Sequence, residues 1–444
     1  MALRTWFLPL FLGLCIVLGG ASAAGYLANL TLQVIAIAIA MWVVSVPTHG
    51  SVSPDERNFR YFLFTAVALF AIQFVPLPSA IWDLMGQRAA VVSTANEIGV
   101  TPNIKLVSLT PHQTLHSAVW LLPALTLALF MLRQRHYRRD LIPWAILAIT
   151  VVSIVISALQ VTGSPDGPLY FYDFTNPGST VGFFANSNHQ TTLLLIALPF
   201  LAAALSPFLH KNSLFKIGMC FGGLGILVLL LMGIFINRSL AGHILALPVL
   251  AASVLILVPN VLFRRLSAVL LGLTVVAGAS MALLADDGAQ MLSQSSSLSP
   301  KGREVIFANT WRAALDFMPF GSGIGSFQSV YPLYENQSDA EPAFINHAHN
   351  DYLELFLETG LLGALVFSLF LLWWIRQATR IWGAVSLDPL AGAAVIATAV
   401  VLVHSLVDYP LRTVAISSLF ILSCVLMSSW VPAKQFNKTD GSGA

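Results

Sequence analysis

Residues 217–236 read IGMCFGGLGILVLLLMGIFI, twenty residues without a charge, and Asn237, Arg238 and Ser239 follow before a second apolar run opens at 241. About twenty apolar residues cross the hydrocarbon core of a bilayer as a helix. The pattern is therefore span, short polar turn, span. Working outward, the same reading gives twelve runs, near 5–24, 27–46, 60–77, 115–132, 141–161, 183–207, 217–236, 241–262, 266–284, 356–375, 389–407 and 413–430. The runs are continuous rather than alternating, which selects helices over a barrel. The first run, behind Arg4 and ending in Ala21-Ser22-Ala23-Ala24, also has the look of a signal peptide, but it is read as a span because eleven more follow.

Composition agrees. Hydrophobic residues make up 57 % of the 444 residues and charged residues 9 %, with a mean hydropathy of +0.80. A soluble domain carries about 25 % charge, so soluble, secreted, disordered and fibrous classes are excluded. A net charge of +2 gives no reason to expect nucleic acid as a partner. Cys15, Cys220 and Cys424 all lie in apolar runs without metal-ligand spacing, so neither a disulfide framework nor a zinc site is expected.

With the N-terminus in the cytoplasm and the spans alternating, 15 of the 22 Lys and Arg residues fall on the cytoplasmic side. The other seven, Arg88, Lys105, Arg238, Lys301, Arg303, Arg312 and Arg412, fall outside. The Lys/Arg bias sets orientation, so both termini are expected inside. The long connections then lie outside, near 76–114, 162–182 and 285–355. Long ordered loops carry function, so chemistry is expected on the outer face. The expected organisation is nine transmembrane helices over 1–284, a large outer loop over 285–355, three helices over 356–430 and a cytoplasmic tail over 431–444. No fixed-period repeat is visible, which disfavours a transporter built of duplicated halves. The serine run 293–299 reads as a flexible part of the large loop.

The large loop holds Asn346-His347-Ala348-His349-Asn350-Asp351-Tyr352-Leu353-Glu354, leading to Gly360 and Gly363. Asp351 and Glu354 have the spacing of a capping box, so a helix is expected to start near Tyr352. His349 then sits outside the N-terminus of a helix entering the membrane, where it can take a proton from a hydroxyl; an unengaged loop histidine is the alternative. Upstream, Phe307, Trp311, Leu315 and Met318 keep helical spacing after Pro300, an amphipathic helix at the membrane surface. Arg303 lies near its N-terminus, where a cation is unfavourable unless an anion binds; Arg312 is expected to face headgroups. Arg238 is a cation at the outer boundary, the side that the positive-inside bias avoids, and ionisable groups there are functional suspects. His243 is expected to pack between helices, Asp408 to pair with Arg412, and Asn186, Asn188 and His189 to line a polar cavity with Asn350 and Glu354. The 321–325 glycine cluster lacks the Lys-Ser/Thr ending of a phosphate loop and is read as a tight turn. No metal spacing is found on the outer face, so no metal is expected.

Four segments together resemble the O-antigen ligase/polymerase superfamily of bacterial inner-membrane proteins. They are Gly-Phe-Phe-Ala-Asn-Ser-Asn-His at 182–189, Asn237-Arg238-Ser239-Leu240-Ala241-Gly242, Gly302-Arg303 leading through Pro319 to the glycine cluster, and His349-Asn350 through Leu353-Glu354 to Gly360 and Gly363. Asn237 and Ser239 depart from the serine-arginine-glycine order usual in the family. The resemblance implies an all-α polytopic membrane protein of the GT-C-like glycosyltransferase type, with about 12 transmembrane helices and a large periplasmic loop. It implies a metal-independent, inverting transfer without cofactor, from a glycan on undecaprenyl diphosphate to a sugar hydroxyl. His349 would be the catalytic base, and Arg238 and Arg303 would bind the diphosphate. Guanidinium groups suit that task because they contact phosphate oxygens in bidentate fashion.

Two activities share this chemistry: polymerisation of lipid-linked repeat units in O-antigen or exopolysaccharide synthesis, and ligation of finished glycan to lipid A–core. Val75-Pro76-Leu77-Pro78 with Ile81-Trp82, followed by a long outer segment, favours the polymerase. The expected partners are the lipid-linked donor, a glycan or lipid A–core acceptor, membrane lipid and other polysaccharide-assembly proteins. A flippase or transporter is the reading from another class, and a scaffold of the assembly complex a third. The span centres are nearly free of charge and the polar candidates gather at the outer face, which favours an enzyme over a transporter.

Overall fold

Thr413, at the head of the last apolar run, shows how this chain starts a helix: its hydroxyl accepts the Ile416 N–H, and the helix begins one residue later. Asp388, Ser239, Ser53 and Asn350 do the same for four others. In the computed structural model, which describes residues 2–22, 25–47, 52–82, 85, 87–97, 105–134, 137–165, 167–209, 214–237, 239–269, 271–272, 300–336 and 345–432, every regular element is a helix. These are α1 (Ala2–Leu18), α2 (Tyr26–Ser45), α3 (Pro54–Ile72), α4 (Ser79–Trp82), α5 (Arg88–Glu97), α6 (Pro111–Trp120), α7 (Leu122–Arg133), α8 (Leu141–Thr162), α9 (Ser187–Leu209), α10 (Leu214–Ile236), α11 (Leu240–Leu255), α12 (Pro300–Asp316), α13 (Phe327–Val330), α14 (Asp351–Trp382), α15 (Pro389–His404) and α16 (Val414–Ser428). Residues 261–269 are also helical.

Among the described residues, five helices are long and apolar enough to cross a membrane, or six if α6 and α7 form one bent span. Four expected runs appear as apolar helices of 10–17 residues, while most of 266–284, like the serine run, lies outside the described residues. The shortening has identifiable causes. The run at 389–407 stops at His404, where the chain turns into the 404–413 corner. The run at 183–207 becomes helical only at Ser187 but continues to Leu209, so α9 keeps the length of a span. Pro123 removes an N–H just past Leu121, and α6 and α7 meet there at 43°.

Helix α9 is the centre. Nearly every residue from Ser187 to Ala204 is buried, as expected for a helix apolar all round. It packs against α8, α10, α11 and α15. Its first turns carry the polar residues Asn188, His189, Gln190, Thr191 and Thr192, all buried. Helix α14 is bent at Gly360, whose φ of 58° and ψ of −146° lie outside the helical region. A side chain there would strike the Pro319 carbonyl. The glycine cluster is indeed a turn, and it docks on that bend: the Ser322, Gly323 and Leu361 N–H groups donate to the Leu357, Glu358 and Pro319 carbonyls at 2.8–2.9 Å.

One end of the bundle gathers arginines from alternate connections. Arg133 donates to the carbonyls of Val43, Val44 and Val46, Arg139 lies 3.3 Å from Asp388, Arg380 pairs with Asp55, and Arg60 lies 2.7 Å from Glu56. The candidate residues lie at the other end.

Candidate active site

The start of α14 is built by its cap. The Asn350 side chain accepts the N–H groups of Tyr352 and Leu353 at 3.0 Å, and its amide donates to the Leu406 carbonyl at 2.9 Å. The cap is therefore Asn350, one residue before the expected capping box. Asp351 and Glu354 are drawn away by a stronger partner. Arg412, half-buried in the corner between α15 and α16, lies 3.5 Å from Asp351, 3.3 Å from Glu354 and 3.1 Å from Glu358. This corrects the expected Asp408–Arg412 pair: Arg412 faces three carboxylates of α14, and Asp408 faces histidines instead. Burial would lower the Arg412 pKa, but Glu354, Glu358 and Asp351 together raise it, so it stays charged.

The cap turns His349 inward. Its φ of 52° is left-handed, the one such non-glycine residue among those described. Such a conformation costs of order 1–3 kcal/mol and persists where the surroundings over-determine it. Here the Ala348 N–H donates to Glu354 Oε2 at 2.8 Å on one side, and Asn350 caps the helix on the other. The His349 Nδ1 atom lies 3.4 Å from Asp408 Oδ1. His189, from the first turn of α9, brings Nε2 to 3.9 Å from Asp408 Oδ2. His404 donates to or accepts from Thr192 Oγ1 at 2.8 Å. Tyr409 fills the middle, its ring centroid 4.8 Å from His349, 4.6 Å from His347 and 5.1 Å from His189. His347 in turn reaches Glu354 at 2.8 Å.

Charge distribution follows from burial. Burial lowers the His349 pKa, the Asp408 carboxylate pulls it back, and Arg303 and His347 lower it further; the net shift is down. Burial pushes Asp408 up, but the close approach of His349 and the neighbouring imidazoles of His189 and His404 hold it well below the carboxylate range. His347 goes the other way, because Glu354 outweighs the burial that lowers it. The result is a neutral imidazole at His349 beside an ionised carboxylate.

Arg303 enters from the first turn of α12 and is buried; burial lowers its pKa, opposed by Asp408 and Tyr409. Its charge is felt by His349, His404 and Asp408. Two residues far apart in sequence, Arg303 and His349, are thus brought into one charged pocket. The helix carrying Arg303 has one buried and one exposed face. Ile306, Thr310, Ala313, Ala314 and Phe317 form its buried face, while Trp311 and Leu315 are 51 % and 52 % exposed. Arg312 is exposed.

The remaining candidates divide. Arg238 lies outside the described residues. Its neighbours are firmly held: the Asn237 amide donates to the Thr180 and Ser187 carbonyls at 3.0 Å, and Ser239 caps α11. These are the two positions that depart from the family pattern, and both have structural work. Asn186 accepts the Asn188 N–H at 2.8 Å and approaches the Tyr409 hydroxyl at 3.5 Å. Asn188 is buried in the first turn of α9. His243 is exposed rather than packed between helices. The residues missed were Tyr409 and His404, together with the role of Asp408. Their signal was His404 followed four residues later by Asp408, one helical turn apart at the end of an apolar run.

An O-antigen ligase family model matches residues 225–368. The match spans Arg238, Arg303, His349 and Glu354, and leaves the corner of Asp408, Tyr409 and Arg412 outside. No curated protein matches the chain.

Proposed function

We propose, from the premise that this multi-pass membrane protein belongs to the O-antigen ligase/polymerase superfamily, that it transfers glycan from undecaprenyl diphosphate to a sugar hydroxyl on the periplasmic face of the bacterial inner membrane. The observation that carries the reading is His349 Nδ1 at 3.4 Å from Asp408, with Arg303 acting on both. With Nδ1 turned to Asp408, Nε2 is the atom left for the acceptor. Asp408 fixes the tautomer and stabilises the imidazolium that forms.

The acceptor oxygen attacks the anomeric carbon and gives its proton to His349 Nε2. The bond from that carbon to the diphosphate oxygen breaks, and the lipid diphosphate leaves with the electron pair. Attack from the opposite face inverts the anomeric configuration. Arg303 and Arg238 stabilise the charge growing on the leaving group. The donor arrives already exported and activated, so no nucleotide or cofactor is required. Arg303→Lys loses transfer, because an ammonium cannot reproduce a bidentate phosphate contact; full activity in that variant would mean that a point charge suffices.

Polymerisation of repeat units is the first reading of the acceptor, supported by the Val75–Pro78 segment and the outer stretch behind it. Ligation to lipid A–core is the second, favoured by the O-antigen ligase description of the matching family. The test uses a deletion strain of the source bacterium complemented with wild type or His349→Ala. Lipopolysaccharide and exported polysaccharide are separated by size on gels. Core carrying a single repeat, or loss of long exopolysaccharide with intact lipopolysaccharide, identifies a polymerase. Bare core with long glycan accumulating on undecaprenyl diphosphate identifies a ligase. No change in either sinks the enzyme reading and returns the flippase and scaffold to first place.

A further inference from the structure

At the arginine-rich end, α3 and the second half of α14 diverge and leave a cleft open to the outside of the bundle. Asn58, Tyr61, Thr65, Leu369, Trp373 and Arg376 are among its walls. The two helices are held together beneath it by aromatic contacts, Phe59 on Trp373 at 5.0 Å and Phe62 against Phe370 at 5.2 Å between centroids. Part of the exposed wall is apolar: Leu369 and Leu372 are half exposed or more. The Thr65 hydroxyl is turned back on the Tyr61 carbonyl at 2.9 Å.

The mouth is different in kind. Arg376 is exposed and has no carboxylate partner among the described residues, while its neighbours Arg60 and Arg380 are engaged by Glu56 and Asp55. Asn58 and Tyr61 add an amide and a hydroxyl beside it. The Trp373 indole N–H is buried without a hydrogen-bond partner among the described residues. The cleft thus offers donors and positive charge at one end and hydrocarbon along its length. From Val366 to Arg376 is ten residues of helix, roughly 15 Å. That is about half the hydrocarbon thickness of a bilayer, the depth of one leaflet.

We propose that this cleft is a binding site for one anionic phospholipid, its phosphate at Arg376 and an acyl chain lying along Val366, Leu369 and Leu372. The occupant belongs to the leaflet at the Arg376 end, opposite to the leaflet at the His349 end. It is therefore not the diphosphate donor, whose headgroup must reach Arg303. The inference needs only that the chain crosses the bilayer and does not depend on the activity proposed above.

The test is native mass spectrometry of the full-length protein in detergent, offered equal amounts of phosphatidylglycerol and phosphatidylethanolamine. Wild type retains one phosphatidylglycerol, several-fold over phosphatidylethanolamine, and glycerol 3-phosphate does not displace it. Arg376→Gln lowers phosphatidylglycerol to the level of phosphatidylethanolamine. Leu369→Trp, which fills the cleft, removes both. An unchanged lipid ratio in Arg376→Gln, or unchanged retention in Leu369→Trp, would mean that the bundle carries bulk lipid only and would overturn the site. Displacement by glycerol 3-phosphate would mean a phosphate site rather than a lipid site, with the same consequence.

Discussion

The two ends of the bundle use arginine in opposite ways. At one end Arg133, Arg139 and Arg380 lie partly in solvent, tying helix ends together one carbonyl or carboxylate at a time. At the other, Arg412 is half-buried against three buried carboxylates, and Arg303 is buried beside a carboxylate ringed by histidines. Exposed pairs trade water for a partner at little net gain. Buried charges have no water to fall back on, so each must be matched by geometry. The first end can vary in detail and still hold; the second is fixed by its neighbours. That rigidity suits the transfer proposed above, in which base and leaving-group contacts would be in place before the substrate arrives.

This contrast can be broken by experiment. The largest effect belongs to His349→Ala, which removes the base: glycan transfer by purified protein falls by about 10²–10⁴-fold, with expression and membrane insertion unchanged. Retained activity removes His349 from the mechanism. Next is Arg412→Leu, which leaves three buried carboxylates without their shared guanidinium, only Glu354 keeping a partner in His347, and destabilises the fold by about 3–5 kcal/mol. It is read as a lowered unfolding midpoint of the detergent-solubilised protein, and an unchanged midpoint would mean that the corner is not held by charge.

The pH profile is a finer probe. A base works unprotonated, so transfer is lost as pH falls through the His349 pKa. Burial puts that pKa below its ordinary value, which is about 6.5 for histidine, so wild type keeps its rate through neutral pH and loses it below. Asp408 raises the His349 pKa. In Asp408→Asn the acid limb therefore moves further down while the plateau rate drops, because the tautomer is no longer fixed. A limb that stays in place would separate Asp408 from His349. The smallest effect is at the opposite end: Arg139→Gln costs about 1 kcal/mol or less in the same unfolding measurement. A cost comparable to that of Arg412→Leu would erase the distinction between the ends.

Much of this was legible in the chain. Spans of the length of α8, α9 and α10 follow from uninterrupted apolar runs, because lipid demands that every backbone group be bonded within its own segment. The amphipathic helix opening at Pro300 and the turn at the glycine cluster were legible for similarly local reasons. The capping box was misread because Asp351 and Glu354 have the right spacing for a cap, yet a guanidinium from residue 412 competes for them. A sequence pattern does not record a partner sixty residues away. Nor does a hydrophobic run reveal where its helix stops, as at His404, when the final turns are given over to a polar corner.

By itself the sequence determined that the protein lives in a membrane, because its composition and the length of its apolar runs leave no other solvent for them. The resemblance to a known superfamily, carried by short motifs, is what singled out His349, Arg238 and Arg303. Only the tertiary structure decided that Asp408 faces His349 rather than Arg412, that Tyr409 lies between three imidazoles, and that α9 brings His189 to the same carboxylate. Those contacts join segments as far apart as residues 189 and 408. The choice among partners of like charge is made by which helices pack side by side, and that is a property of the whole bundle rather than of any stretch of chain.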